Sequence, residues 1–354
     1  MIKKVTHIIP TMEIGGAQRL IVDLINASKD CGRTHEIIVF YDKLDLISEI
    51  KVPFKLQIVK KDSKLGLIYF AKLKKALLES GPDLVHTHLF GADLWGRVAA
   101  RQLNLPVVTT EHNINLSEGW FKEKIRSYLR NHSDQYIAVS RQVKEYLQNK
   151  HEIKKPITVI RNGVDLNRFS GIEKPVFANP VKLLIVGRLV KQKGHEVVLK
   201  SLSRCLDLSW ELTIAGSGEE ELILKRLVND LKLKAEVNFM SATHEVEQLY
   251  ARHDIVLMPS LWEGQGIVAM EALASGRLLI ASDLSSIREM INGGCAKFVH
   301  GDIAGWSNEI RLCLADTDNN KKIAQAGREW AMNNFSIQAT VRKYLEIYDR
   351  IINR

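Results

Sequence analysis

The sequence predicts an α/β fold made of two doubly wound domains, each built around a parallel sheet. Short runs rich in valine and isoleucine alternate with segments of helical length, as in repeated β-α units. This alternation breaks once, at residues 170–180 (SGIEKPVFANP), where proline, glycine and asparagine accumulate. With 354 residues the chain also exceeds the roughly 250 residues that one hydrophobic core supports. We therefore predict a first domain at residues 1–170, a linker at 171–180 and a second domain at 181–336.

The first domain begins with the apolar run VTHIIP and a helix from Ala17. Next come HEIIVF and KLQIV, a helix that ends at Ser80, DLVHTH, a helix from Ala92, and the runs PVVTT, YIAVS and ITVIRNGVD. The second domain starts again with KLLIVGRL and continues through ELTIAGSG, VNFM, DIVLMPS and RLLIAS, with a helix predicted between successive runs. In such folds ligands bind at the carboxyl ends of the strands.

The last segment has the spacing of an amphipathic helix. Apolar side chains recur at Val341, Tyr344, Leu345, Tyr348 and Ile351, so one face of this helix needs a partner surface. We expect residues of about 337–354 to pack back on the first domain.

Composition limits the class of protein. Cys31, Cys205, Cys295 and Cys313 form no CxxC pair and no Cys/His ligand cluster, which argues against a disulfide scaffold or a structural zinc site and favours the reducing cytoplasm. The first ten residues do not resemble a signal peptide, and no apolar run approaches the roughly 18 residues of a membrane span. Any membrane contact is therefore predicted to be peripheral, on the inner face.

The net charge of +9 is unevenly distributed. Residues 1–175 hold 28 lysines and arginines against 19 acidic residues, whereas the rest of the chain holds 22 of each. A basic first half indicates an anionic partner, such as acidic lipid headgroups, a lipid-linked phosphate or nucleic acid.

Two cations follow the first strand of the second domain. Arg188 lies in Val186-Gly187-Arg188, and Lys193 precedes Gly194 where the next helix begins. Backbone N–H groups at a helix start attract phosphate oxygens, and the two cations suit a diphosphate. A solvated basic turn is the alternative for this motif alone.

Glycines follow two other strands. Ala215-Gly216-Ser217-Gly218 ends one strand and is followed by three glutamates, so either a ligand approaches the backbone closely or this is an ordinary β-α turn. Gly15-Gly16-Ala17 follows the first strand with the wrong spacing for the dinucleotide fingerprint GxGxxG. A nicotinamide enzyme is therefore disfavoured.

The most specific segment is PSLWEGQG at 259–266, which leads into the predicted helix IVAMEALA. Glu263 lies in the loop and Glu271 on the helix. A loop carboxylate can bind sugar hydroxyls or balance positive charge at an anomeric carbon, and a helix carboxylate can accept both hydroxyls of a ribose. The alternative is that Glu271 is a buried structural carboxylate.

These motifs together resemble those of glycosyltransferase family four, the retaining GT-B enzymes also described as glycosyl transferases group 1. The resemblance runs nearly end to end, through GGAQR, TEHN at 110–113, VIRNGVD at 159–165, VGRLVKQKG at 186–194, AGSGEE at 215–220, the paired-glutamate segment and ASGRLLIAS. It implies a GT-B fold, with two Rossmann-like domains facing a central cleft. It also implies a hexosyl- or N-acetylhexosaminyltransferase that moves a sugar from a nucleotide diphosphate sugar, with UDP favoured, to a lipid-linked or cell-surface glycan in polysaccharide biosynthesis.

The resemblance assigns roles to individual residues. Arg188 and Lys193 match the pair that holds the donor diphosphate, Glu263 is expected near the donor sugar, Glu271 on the ribose, and His112 near the transferred sugar. Together His112, Arg188, Lys193 and Glu263 form the predicted catalytic set.

The predicted donor site is larger. Gly16 is expected to let the first loop reach the phosphates, and the start of the helix after Gly266 to offer them backbone N–H groups. Gln265, Leu278 and Ser241 depart from the residues usual in the family. The full predicted set is Gly15, Gly16, Gly187, Arg188, Lys193, Gly216, Gly218, Ser241, Glu263, Gly264, Gln265, Gly266, Ile267, Val268 and Glu271.

No metal site is predicted. His86 and His88 form an HxH, and we expect one to pack inside while the other lines a cleft. Asp316-Thr317-Asp318, the only DxD, is expected to be a turn between helices. The sequence therefore predicts transfer without metal or cofactor, the nucleotide sugar being a co-substrate.

Residues 119–132 (GWFKEKIRSYLRNH) mix aromatic and basic side chains as interfacial helices do, and the alternative is an ordinary surface helix. We expect contact with an anionic membrane surface. Other hypotheses are a nucleotide-sugar epimerase of the same fold and a non-catalytic sugar-nucleotide-binding scaffold subunit. Nucleic acid is not an expected partner, since the sequence contains no known recognition module.

Overall fold

The computed structural model describes residues 3–29, 31–61, 66–114 and 119–353, with only the backbone of Leu67. These residues form two compact units. Unit 1 consists of Met1–Asn162 and Ile337–Arg354, and unit 2 of Gly163–Ser336. Among the described residues, no helix combines the length and the hydropathy that crossing a membrane requires.

Unit 1 is a parallel sheet covered by helices. Its strands are β1 (Lys3–Ile9), β2 (Arg33–Val39), β3 (Phe54–Ile58), β4 (Leu84–His88), β5 (Val107–Glu111), β6 (Gln135–Ala138) and β7 (Ile157–Val159). Its helices up to residue 162 are α1 (Gly16–Ala27), α2 (Gly66–Ser80), α3 (Leu89–Gln102), α4 (Trp120–Leu129) and α5 (Arg141–Asn149). The strand order is β3-β2-β1-β4-β5-β6-β7, so the direction of winding reverses between β1 and β4.

Unit 2 repeats this architecture with one strand fewer. Its strands are β8 (Val181–Val186), β9 (Trp210–Ala215), β10 (Val237–Met240), β11 (Ile255–Met258), β12 (Leu278–Ser282) and β13 (Lys297–Val299). Its helices are α6 (His195–Leu202), α7 (Glu221–Asp230), α8 (Val246–Arg252), α9 (Ile267–Ala274), α10 (Ser285–Arg288), α11 (Ile303–Ala315) and α12 (Thr317–Asn334). The order β10-β9-β8-β11-β12-β13 reverses between β8 and β11. The predicted fold class, two doubly wound parallel-sheet domains, is thereby confirmed.

The side chains of β8 alternate between two apolar clusters, which explains why helices cover both faces of the sheet of unit 2. Leu183 and Ile185 enter one apolar cluster, and Leu184 enters a second, with Val186 packed against it. Successive side chains of a strand point to opposite faces, so the continuous apolar run from Leu183 to Val186 needs a helix layer on each face of the sheet.

The last helix, α13 (Ile337–Ile352), packs on unit 1. Val341, Tyr344, Tyr348 and Ile351 are buried in a cluster that also contains Val5 of β1. The periodicity of the sequence therefore marks the face that is buried.

The first boundary between the units lies after Asn162, whereas the sequence suggested residues 171–180. Residues beyond 162 pack on unit 2 because Phe169 lies edge-on against Tyr250, with ring centroids 5.9 Å apart, and Arg328 donates to the carbonyl oxygens of Ser170 and Ile172. The break in the β-α rhythm therefore does not mark the point where the contacts divide.

Candidate functional site

The candidate site of unit 2 lies where its sheet changes winding direction. Three loops follow strands there, at residues 187–194 after β8, 216–220 after β9 and 259–266 after β11. The carboxyl ends of strands at such a switch point are where doubly wound folds bind ligands. The sequence-predicted cations, glycines and glutamates of this unit lie on these loops or on α9.

Glycines let the loops pack on one another. A side chain at Gly216 would clash with the carbonyl oxygen of Gly187, and one at Gly194 with that of Pro259. Gly194 also has φ +64°, in the left-handed region that favours glycine. The sequence left open whether a ligand or a turn requires Gly216, and the contacts within unit 2 already require it.

We expect Gly194→Ala to destabilise unit 2 by about 2–4 kcal/mol, because it adds backbone strain to a steric clash. Gly293→Ala is the matched control, since a methyl group there would contact nothing within 4 Å. Urea denaturation followed by tryptophan fluorescence measures both. Equal unfolding midpoints would refute this account of the loops.

Lys193 and Glu263 form an ion pair between two of these loops. The Lys193 Nζ atom lies 2.5 Å from Glu263 Oε1, and the Ser260 hydroxyl donates to the same oxygen at 2.7 Å. Both charged side chains are largely buried, at 18% and 8% exposure. The contribution of Ser260 is one that the sequence did not indicate.

Arg188 is exposed and forms no side-chain hydrogen bond or ion pair with the residues that the structure describes. It follows Gly187 on the same loop as Lys193. The loop therefore presents an exposed cation beside one whose charge is balanced by Glu263.

Helix α9 begins at the third loop. Gly266, with φ +82°, precedes its first residue, and no side chain caps the helix start. The backbone N–H groups of Ile267 and Val268 precede the first intrahelical hydrogen bonds, so this end of the helix can accept an anion. Gly264 is buried in the loop before it.

Glu271 lies one turn into α9 and is mostly buried, with 9% exposure. The hydroxyl of Tyr250 on α8 donates to Glu271 Oε2 at 2.9 Å. Burial, followed by the nearby Glu271 carboxylate, raises the pKa of Tyr250 well above its usual value, so Tyr250 stays protonated and acts as a donor. Glu271 is therefore a positioned acceptor, and Tyr250 is the partner that the sequence did not indicate.

Gln265 and Ser241, two further residues of the predicted donor site, lie in contrasting environments. Gln265 is 3% exposed, and its Nε2 atom lies 3.7 Å from the sulfur atoms of Met270 and Met290, so its side chain packs in the interior. Ser241 is exposed just after β10, beside the Gly216 loop, because the Gly216 N–H donates to Met240 O at 2.9 Å.

In unit 1 the predicted residues lie after β1 and β5. Gly15 precedes α1, which starts at Gly16 without a side-chain cap. His112 follows β5 and is half-buried, and its Nε2 atom lies 3.1 Å from His88 Nδ1. Burial lowers the pKa of His112 to about 3, so the ring is neutral at neutral pH.

The expectation for His86 and His88 was wrong. Both are fully buried, and their ring centroids lie 4.0 Å apart. Residues two apart on a strand point to the same face, so neither turns away from the other. They meet His7 of β1, and one nitrogen atom from each of the three rings lies within 4.8 Å of the other two, close enough for the three to be candidate metal ligands.

The DxD segment has the predicted structural role. It links α11 to α12, and the side chain of Asp316 accepts a hydrogen bond from the backbone N–H of Asn319 as the cap of α12. This is the usual part of aspartate at a helix start.

Helix α4 carries an exposed apolar surface, which we call the α4 surface and define as Trp120, Phe121, Lys124 and Tyr128. The three aromatic side chains are 70%, 70% and 73% exposed. On the other side of the helix, Arg126 forms a buried ion pair with Glu111 of β5 at 2.7 Å. That ion pair fixes which side of α4 faces outward.

Comparison with known proteins identifies the family to which this fold belongs. The family model described as Glycosyltransferase Family 4 matches residues 14–168, and the model described as Glycosyl transferases group 1 matches residues 172–330. Glycogen synthase of Mycobacterium tuberculosis is 28% identical over 289 residues, which cover 75% of this chain and 68% of the relative. The lipopolysaccharide core biosynthesis mannosyltransferase LpsB of Rhizobium meliloti is 24% identical over 270 residues, 71% of this chain and 74% of the relative.

Among solved structures, that of Anabaena HepE in complex with UDP-glucose superimposes with a TM-score of 0.85. It is 21% identical in sequence, and the match covers 98% of this chain and 99% of that one. Since the two family models between them match most of the chain and the fold agrees, the protein belongs to glycosyltransferase family four and is a sugar-transferring enzyme with the GT-B fold.

Proposed function

We propose that the protein transfers a sugar from a nucleoside diphosphate sugar, with a UDP-sugar favoured, to a lipid-linked or cell-surface glycan, with retention of configuration and without a metal. The observation that carries this proposal is the clustering of Arg188, Lys193 and the uncapped start of α9 on loops of one switch point. Two cations and a helix N-terminus are the groups that a diphosphate requires.

Relatives support the choice of substrates. The structure of HepE is a complex with UDP-glucose, and LpsB is named as a mannosyltransferase of the lipopolysaccharide core. A UDP-sugar donor and a glycan acceptor are therefore the first substrates to test, and the basic first half of the chain suits an acceptor that carries phosphate.

In the proposed donor complex, the diphosphate lies against Arg188, Lys193 and the N–H groups of Ile267 and Val268. Glu271, oriented by Tyr250, accepts the ribose hydroxyls. Glu263 keeps its hydrogen bond from Ser260 and turns its second oxygen, Oε2, toward a hydroxyl of the donor sugar.

In the proposed reaction, sugar transfer depends on stabilising the negative charge of the leaving group and does not require a nucleophile from the protein. As the bond between the sugar and the phosphate breaks, negative charge grows on the leaving phosphate, and Arg188 and Lys193 stabilise it. The acceptor hydroxyl attacks from the same face and gives its proton to the departing phosphate, so the anomeric configuration is retained. The two cations take the part that a divalent metal plays in other transferases.

The test of the donor site is a thermal-shift panel with uridine, guanosine and adenosine diphosphates and their sugar conjugates. Stabilisation of wild-type protein by one base is expected, about 2.7 kcal/mol at a ligand concentration of 100 Kd. Arg188→Ala and Glu271→Gln should weaken it, whereas Lys191→Ala, an exposed neighbour, should not. Folded protein that no nucleotide stabilises would exclude this donor site.

Product analysis tests the reaction itself. NMR of the product should show the donor's anomeric configuration, and the rate should persist in a chelator. An epimerised nucleotide sugar formed without any acceptor would instead support the epimerase hypothesis, and nucleotide binding without turnover would support the scaffold hypothesis.

We further propose that the α4 surface docks on anionic membranes. Three exposed aromatic side chains beside Lys124 match the composition of interfacial helices, in which apolar rings enter the headgroup region and cations meet acidic lipids.

Changing Trp120, Phe121 and Tyr128 together to serine should lower the affinity for vesicles of phosphatidylcholine and phosphatidylglycerol by about 10- to 100-fold, because apolar area no longer enters the bilayer. The control is Leu222→Ser with Ile223→Ser, which removes similarly exposed apolar residues from α7 of unit 2. Vesicle co-sedimentation measures both. Sedimentation of the triple variant like the wild type would rule the α4 surface out.

A further inference from the structure

Four histidines of unit 1 form a continuous row of hydrogen-bonded rings, which we call the histidine chain: His35, His7, His88 and His112. His35 Nδ1 lies 3.0 Å from His7 Nε2, His7 Nδ1 lies 3.4 Å from His88 Nε2, and His88 Nδ1 lies 3.1 Å from His112 Nε2. The row follows the order of the sheet, β2-β1-β4-β5. The two inner rings therefore use both of their nitrogen atoms within the row.

All four rings are neutral at neutral pH. Burial lowers the pKa of His35 to about 4 and of His112 to about 3, and it lowers the pKa of His7 and His88 well below the usual value. A neutral imidazole has one N–H donor and one bare nitrogen acceptor. Each inner ring must therefore donate once and accept once, and the three hydrogen bonds must all run in the same direction.

The buried end of the row selects the direction. His35 Nε2 is buried and has no hydrogen-bond partner among the described residues. If the hydrogen bonds ran toward His35, this atom would carry an N–H without an acceptor, and orphaned buried N–H groups are rarer than orphaned acceptors.

With the hydrogen bonds running away from His35, His112 accepts at Nε2 and keeps its one proton on Nδ1. No described residue forms a hydrogen bond with Nδ1, and His112 is half-buried rather than enclosed. We propose that His35, His7 and His88 are positioning residues that fix His112 in the Nδ1–H form, so that it serves as a hydrogen-bond donor to an oxygen of the sugar substrate. The sugar substrate as the ligand of His112 rests on the proposed function, whereas the Nδ1–H form of His112 does not.

His86 stands outside the row. Its Nδ1 and Nε2 atoms lie 2.6 Å from the Tyr348 hydroxyl and 2.8 Å from the Thr110 hydroxyl, and its ring packs against His88. A metal ion held by His7, His86 and His88 would need a bare nitrogen from each ring and would break the link between His7 and His88. The row and a metal are thus exclusive states of the same residues.

The experiment is 15N NMR of histidine-labelled full-length protein at neutral pH, in which long-range proton–nitrogen correlations report the protonated nitrogen of each ring. Wild-type His112 is expected to carry its proton on Nδ1. His35→Asp places an acceptor at the start of the row and should reverse it, moving the His112 proton to Nε2. Asparagine has the same shape as aspartate, but its NH2 group can still donate to His7. His35→Asn should therefore leave the tautomer of His112 unchanged.

Protonation of His112 on Nε2 in ligand-free wild-type protein would overturn the inference, and this measurement does not depend on the folding of any variant. One zinc per chain in elemental analysis of the same protein would overturn it as well. An unchanged tautomer in folded His35→Asp would also overturn it. For the donor role, His35→Asp should lower kcat at least tenfold relative to His35→Asn, with equal thermal shifts by nucleotide. If His35→Asp switches the tautomer of His112 but has the same kcat as His35→Asn, the donor role of His112 is refuted. The proposed nucleotide-sugar site of unit 2 is not affected by that result.

Discussion

Replacing Arg188 with alanine is expected to lower kcat by about 100- to 1,000-fold, the range found when one group that stabilises developing negative charge is removed. Arg188 is exposed and has no described side-chain partner, so its removal leaves no buried charge behind and the fold should be unaffected. The measurement is steady-state kinetics with the nucleotide sugar that the thermal-shift panel selects.

Lys191→Ala is the control for this prediction, because Lys191 is an exposed cation on the same short 3-10 helix as Lys193. It removes the same amount of charge three residues away and should change kcat less than threefold if position matters more than net charge. If both variants lose the same activity, general electrostatic attraction of the donor is the better explanation, and the leaving-group role fails.

Unit 1 is expected to lose more stability in acid than unit 2, where His195 and His253 are the described histidines with a lowered pKa. His7, His35, His86, His88 and His112 all have pKa values lowered by burial, to about 4 for His35 and about 3 for His112. Above the unfolded value of about 6.5 they are neutral in both states and contribute no pH dependence. As the pH falls below 6.5, the unfolded chain binds protons that the folded unit does not, and stability is lost toward the folded values. At pH 5 this loss reaches up to about 2 kcal/mol for each histidine.

Hydrogen exchange by mass spectrometry at pH 7.5 and pH 5, corrected for the intrinsic pH dependence of exchange, localises the loss to one unit. His35→Asn removes one of these rings, and it should lower the number of protons that unit 1 takes up on unfolding by close to one. His300→Asn changes a ring that is 92% exposed in unit 2, and it should leave the pH dependence of the stability of unit 1 unchanged. Simultaneous exposure of both units at pH 5 would contradict the prediction.

Much of the candidate site of unit 2 could be predicted from the sequence because it is local. Arg188, Lys193 and Glu263 lie in the loops that directly follow a strand, and Glu271 lies on the helix that follows one of those loops. The β-α alternation sets where the strands end. Parallel strands bring those ends to one edge of the sheet, so a linear reading of motifs approximates the arrangement in space. The ion pair of Lys193 with Glu263 needed the structure, since it joins residues 70 apart.

The sequence by itself determined the two-sheet α/β architecture, the family, the amphipathic character of α13 and the loops that carry cations and glutamates. The physical basis of these predictions is the spacing of apolar and polar residues, which is a local property of the sequence. Tertiary structure alone decided the features that depend on register between distant strands. His7 and His86 are register partners on neighbouring strands, and His35 and His112 lie on the strand and the loop beyond them. No spacing within one segment encodes that alignment, so only folding turns five scattered histidines into one buried cluster and places the first unit boundary at residue 162.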